Sequence, residues 1–143
     1  MEAITHIQLL DQVLNVLRAL FPQTNVYGEI PEGGFTLPAL YGMIQRGEQI
    51  KEGELRYRRR LTLELQYHPL EEKNQSSYGV VESLYRRLEI LQIGEGLYRG
   101  IELNHEMKEG ILHFYITYPL TIYRERDRPQ AMQTLEQQGG IKS

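Results

Sequence analysis

The sequence predicts an α+β domain, a mainly antiparallel β-sheet with two amphipathic helices packed on it in the order α-β-β-β-α-β-β. Three observations carry that prediction. Residues 55–67 alternate apolar and polar over a long run. Two separate stretches repeat apolar residues at three- and four-residue steps. Residues 98–107 and 111–123 read as the arms of one hairpin across Lys108-Glu109-Gly110.

In chain order, residues 3–21 form the first helix, with Ile7, Leu10, Val13, Leu14, Leu17 and Leu20 or Phe21 as its apolar stripe. Pro22 stops it, because its ring removes a backbone donor and restricts the residue before it. Residues 25–30 are a short strand. Pro31-Glu32-Gly33-Gly34 and Pro38 mark a loop. A strand follows over Ala39–Ile50, with Gly42 and Gly47 as candidate bulge positions. The polar run Gln49–Glu54 makes a hairpin loop, and Leu55–Tyr67 is the clearest strand. Tyr57, Arg59, Leu61, Leu63, Leu65 and Tyr67 share one face of it; Arg58, Arg60, Thr62, Glu64 and Gln66 share the other.

His68-Pro69 ends this strand, and Ser76 or Ser77 is placed to cap a second helix over Ser77–Leu91. Its stripe is Val81, Leu84, Tyr85, Leu88 and Leu91, and Gly94 and Gly96 close it. In the last hairpin Leu112, Phe114, Ile116 and Tyr118 alternate with Ile111, His113, Tyr115 and Thr117. Both faces of that strand are largely apolar, which predicts a central position. After Tyr123 the composition changes, so residues 1–124 are read as one domain and 125–143 as a C-terminal tail that is flexible or orders on assembly.

The chain has 143 residues and a mass of 16.8 kDa, which suits a single core. With 41% hydrophobic and 24% charged residues it has a globular composition, without an apolar run long enough for a membrane helix. Nothing at the N-terminus resembles a secretory signal, so the expected location is the cytoplasm. The absence of cysteine excludes disulfides, thiolate catalysis and cysteine-ligated metals. A formal net charge of -3 argues against a duplex-binding domain.

Catalytic constellations are missing. His6, His68, His105 and His113 are too far apart for a helical ligand pair. His105 and His113 occupy two arms of one hairpin, yet Glu106 is the only third ligand at hand for zinc. Ser76, Ser77, Ser83 and Ser143 lie in no nucleophile turn. Gly94-Glu95-Gly96 follows a helix, the wrong context for a phosphate loop. Glu71-Glu72 reads as solvated charge. Arg56, Arg58 and Arg60 would form a row on one strand face, fit for a phosphate backbone or an acidic partner surface, although a polar outer sheet face explains them as well. Ten tyrosines suit either a sheet surface or an interface. Composition and spacing by themselves leave the function open, leaning to a binding or structural module.

Several segments, in order, resemble the tail terminator (tail completion) proteins of phages and prophages of Gram-positive bacteria. They are the first helix ending at Phe21-Pro22, the Val26-Tyr27-Gly28-Glu29-Ile30-Pro31-Glu32-Gly33-Gly34-Phe35 segment, and Pro38-Ala39 at a strand start. Then come Arg58-Arg59-Arg60-Leu61 leading to Tyr67, Leu84-Tyr85 with Leu88-Glu89, and Ile111-Leu112-His113-Phe114 with Tyr118. The resemblance covers about residues 3–123. It implies a structural virion protein with no enzyme activity and no cofactor. Such a protein forms a ring, typically a hexamer, on the head-proximal end of the tail tube. There it stops tube polymerisation and offers the head-docking surface.

Implied partners are further copies of the chain, the tail tube protein, and additionally a sheath protein and a head-completion protein. DNA only passes through the lumen, and no membrane is involved. The implied location is the neck region of the virion tail, with host cytoplasm during assembly. Candidate subunit and tube contacts are Ile30, Pro31, Glu32 and Phe35 in the first loop, Gln45, Arg46 and Glu48 towards the hairpin tip, and Arg56, Arg58, Arg60, Arg124 and Arg126. Alternatives of other classes are another neck, head-completion or minor tail protein, the capping collar of a headless phage-tail-like bacteriocin, and a host binding module or small enzyme.

Overall fold

In the computed structural model, which describes residues 4–71 and 74–124, the elements are α1 (His6–Leu20), β1 (Asn25–Tyr27), β2 (Ala39–Lys51), β3 (Arg56–His68), α2 (Asn74–Leu88), β4 (Ile90–Ile93), β5 (Gly96–Arg99), β6 (Ile101–Lys108) and β7 (Ile111–Tyr123). The predicted class and order hold, and the small β4–β5 ribbon is an addition within them. The main sheet has the order β1-β2-β3-β7-β6. Only β1 and β2 pair in parallel; β2–β3, β3–β7 and β7–β6 are antiparallel. As predicted, β7 is central, between β3 and β6.

Helix α1 begins at a capping box. Gln8 N–H donates to the Thr5 hydroxyl (3.1 Å) and the Gln8 side chain accepts from Thr5 N–H (3.0 Å), satisfying two donors that the first turn leaves free. Its buried stripe is Leu9, Val13, Leu14 and Leu17, whereas Ile7 is 72% exposed. The stripe is thus rotated from the predicted one. Leu9, Val13 and Leu17 repeat every four residues, and Ile7 lies at the edge of the stripe beyond Leu14, about 160° around the cylinder from Leu9.

Helix α2 starts at Asn74, so Ser76 and Ser77 lie inside it and do not cap it; Ser77 is buried. It ends at Leu88, before the predicted Leu91, because tertiary partners occupy its last carbonyls. The Tyr118 hydroxyl donates to Leu88 O (2.6 Å) and Gly100 N–H donates to Glu89 O (2.7 Å). Leu91 is still buried, but on β4, which pairs with β5 across Gly94-Glu95. Gly94 and Gly96 therefore serve a hairpin and not a helix terminus.

Both helices and the ribbon lie against one face of the sheet. The inward positions of the strands supply the core: Leu40 on β2, Leu61, Leu63 and Leu65 on β3, and Leu112, Phe114, Ile116 and Tyr118 on β7. Burial pushes the Tyr118 phenol far above its ordinary pKa, so it remains a neutral donor to the helix end. At Gly100, between β5 and β6, a Cβ would stand 2.3 Å from Ile116 Cδ1. No larger residue lets the ribbon approach β7 this closely.

Candidate interface on the uncovered sheet face

The other face of the sheet carries no helix among the described residues. The predicted arginine row is there, because alternate residues of β3 point away from the core. Each arginine meets a carboxylate of its own chain. Arg58 Nε donates to Glu52 Oε2 (2.9 Å), and Arg56 Nε lies 3.7 Å from Glu52 Oε1. Arg60 pairs with Glu102 on β6 and approaches Glu48 at 3.9 Å, while Arg46 lies 3.7 Å from Glu48. Pairs this exposed add at most about 1 kcal/mol each. The row is alternating charge instead of a continuous cationic track, so it fits a protein surface better than a phosphate backbone.

Towards the other end of β3 the face is denser. Glu64 is only 8% exposed; its Oε2 accepts from Gln66 Nε2 (3.0 Å) and lies 2.7 Å from His113 Nδ1. Gln66 Oε1 is 3.0 Å from His68 Nε2. Burial, and secondarily His113, lowers the His68 pKa from 6.5. Thr62 and Thr117 share a hydrogen bond of 2.8 Å between their hydroxyls. Burial pushes the Tyr115 phenol up, helped by Glu64 and by Glu106, to which it donates.

His68 also stacks on Phe35 (ring centroids 4.7 Å apart), which touches Tyr27 (5.1 Å) and Tyr41 (5.6 Å). Phe35 therefore pins its own loop to the sheet and is half-buried within the subunit. Ile30 stands out at 65% exposure, and with Pro31 and Glu32 it borders a groove against Leu10 and Leu14 of α1. Arg46, Glu48 and Arg60 meet Thr62 and Glu102 around a polar cleft of about 250 Å3. Gln45 is exposed at the β2 bulge. Arg124 places its guanidinium 4.9 Å over the Tyr57 ring, and Arg126 lies outside the described residues, as does the predicted tail. Ile30, Pro31 and Glu32 thus border an α1 groove, Arg46, Glu48, Arg56, Arg58 and Arg60 share an arginine–carboxylate surface, and Phe35 and Arg124 meet aromatic rings of their own chain.

The histidine pair considered for zinc is separated by the sheet itself. His113 faces Glu64, while His105 faces the helices and meets the Tyr85 hydroxyl at 2.7 Å. Among the described residues no three histidine, aspartate or glutamate side chains converge on a point, and no helix is long and apolar enough to cross a membrane. Sequence reasoning missed the Glu64–Gln66–His68–His113 chain and the roles of Glu52 and Glu102. Counting back from the hairpin tip would have found one pair, since the register sets Glu48 opposite Arg60. Glu102 needed the position of β6.

Residues 8–130 match a family model described as phage tail terminator protein. The match extends past Tyr123, beyond the segments that carry the sequence resemblance. Among curated proteins no sequence matches this chain.

Proposed function

The chain belongs to the phage tail terminator family, and from that premise we propose that it caps the head-proximal end of a tail tube as a closed ring of identical subunits, six by the family resemblance. Membership makes it a structural phage tail protein. The ring would stop further tube rings from adding and present the surface on which the head docks. The observation that carries this reading is the family match across most of the chain.

The geometry is compatible with it. Around a ring, one surface of each subunit meets a different surface of the next, and the contact closes after a full turn. The uncovered sheet face, with its matched arginines and carboxylates, and the exposed Ile30 loop are surfaces of different chemistry available for neighbour, tube and head. Sheath and head-completion proteins are further partners on this reading. The Ile30–Leu37 and Gln45–Leu55 segments are its tube and neighbour contacts. In the second segment β2 runs to Lys51, so only residues 52–55 form the loop.

Native mass spectrometry of the full chain, alone and mixed with tail tubes of the same phage element, tests the proposal. The expected result is a closed oligomer, or a cap at one tube end visible by negative-stain microscopy. A chain that stays monomeric and leaves tubes uncapped at every concentration overturns it.

A further inference from the structure

Both ends of the sheet present strands with no neighbour among the described residues. β1 pairs with β2 only at Ala39–Tyr41, which leaves the outer side of Gly42–Lys51 without a strand. At the other end β6 has β7 on one side only. Each edge has a bulge at one end, between Ile44 and Arg46 and between Ile101 and Asn104. Beyond these, Arg46–Lys51 and Asn104–Lys108 are regular, proline-free runs. Exposed regular edges are templates for pairing with another chain. We infer that the Arg46–Lys51 edge of one subunit pairs with the Asn104–Lys108 edge of a second copy, continuing the sheet from subunit to subunit; this rests on the ring reading above.

Three independent geometric conditions are met. The first is direction. Across β2-β3-β7-β6 every neighbour is antiparallel, so β2 and β6 run in opposite senses. Rotation about a ring axis then sets β6 of one copy antiparallel to β2 of the next.

The second is hydrogen-bond phase. Glu52 N–H donates to Arg56 O (2.9 Å). Alternating from there along the unbroken register, Ile50, Glu48 and Arg46 direct their backbone groups to β3, while Lys51, Gln49 and Gly47 direct theirs outward. At the other edge the two-residue turn Glu109-Gly110, both with positive φ, closes on the Lys108–Ile111 pair. Glu106 and Asn104 therefore face β7, and Met107 and His105 face outward. The outward residues of both edges lie on the helix-covered side, Gly47 level with Leu61 and Met107 level with Leu112. The free donors and acceptors thus meet without turning either face over.

The third is charge. The β2 edge carries Arg46 and Lys51 against Glu48; β6 carries Glu102 and Glu106 against Lys108. Phase-allowed registers set either Arg46 beside Glu106 or Glu48 beside Lys108. The register between them sets like charges together and is disfavoured.

Gln49→Pro and His105→Pro each delete one outward donor that the isolated subunit does not use. Each variant should fold by circular dichroism and stay monomeric in native mass spectrometry, with assembly weakened about tenfold or more. Gln49→Ala and His105→Ala, which keep the donor, should assemble like the wild type. Mixed together, the two proline variants retain one good edge of each kind and should give a heterodimer and nothing larger. Rings from both proline variants, matching a wild type that rings, overturn the edge pairing and leave the ring reading intact. Assembly of His105→Pro alone overturns it in favour of a two-fold β2–β2 contact. A wild type that never assembles overturns the ring reading itself. If either proline variant fails to fold, hydrogen exchange on the wild type decides. Amides of Gly47, Gln49, Lys51, His105 and Met107 should exchange about a hundredfold more slowly in the ring than in the dilute monomer, and equal rates overturn the pairing.

Discussion

The two faces of the same three long strands are built on opposite physical terms. On the helix-covered face Leu63, Leu65, Phe114 and Ile116 are completely buried, and stability comes from apolar area withdrawn from water. One residue along, Arg60, Thr62, Glu64 and Thr117 sit on the uncovered face, held by paired polar groups that contribute little net free energy. The difference teaches where this fold can change without unfolding. One face specifies the subunit, and the other is free to specify what the subunit meets.

The sharpest way to break that division is Phe114→Ala. It should cost about 3–5 kcal/mol in denaturant unfolding, since it opens a cavity beneath α2, where the Phe114 ring meets Tyr85. A cost near that of a surface substitution would mean that the covered face is not the subunit's core. Gly100→Ala should cost less, about 1–3 kcal/mol, because its Cβ collides with Ile116 Cδ1. Adding Ile116→Val removes that atom and should restore part of the loss; no recovery would place the strain elsewhere.

The uncovered face should respond differently. Thr62→Val alone should cost about 1 kcal/mol by stranding the Thr117 hydroxyl, which is 2% exposed. The double variant Thr62→Val/Thr117→Val should be nearly neutral in thermal and denaturant melts, because neither partner is left unpaired. A double variant as costly as two separate losses would show the uncovered face to be as demanding as the core.

The smallest expected effect is one of pH. Burial and His113 lower the folded-state pKa of His68 below 6.5, so below that value the unfolded chain holds more of the proton. Stability should therefore fall as pH drops from 6.5 to the lowered folded value and level off beneath it, with no slope from His68 above the window. His68→Gln should flatten the melting-temperature profile below about pH 6.5. An unchanged slope would assign the pH response to another group.

Much of this arrangement was legible in residue order. The alternation from Tyr57 to Tyr67 identified the buried and outward sets of β3, and the apolar character of both faces of 111–123 identified a central strand. Where the reading failed, a partner distant in sequence decided the outcome. The end of α2 depends on Tyr118 and Gly100 taking the carbonyls of Leu88 and Glu89. Phe35 also meets Tyr27, Tyr41 and His68 of its own chain, contacts that residue order did not show. The arginine row was visible as a row but not as a neutralised one, because Glu102 reaches Arg60 only once β6 is in place.

By itself the sequence determined the periods: which residues turn together on each strand and helix, where Pro22 and the Glu109-Gly110 turn interrupt the chain, and that it contains no cysteine. Those are local properties, set by backbone geometry over a few residues. Only the tertiary structure decided that, among the described residues, four antiparallel strands leave two unpaired edges with matching direction and phase, and that the polar face keeps its charges in pairs. The physical reason is that edges and ion pairs exist between segments, and which segments meet depends on how the whole core closes.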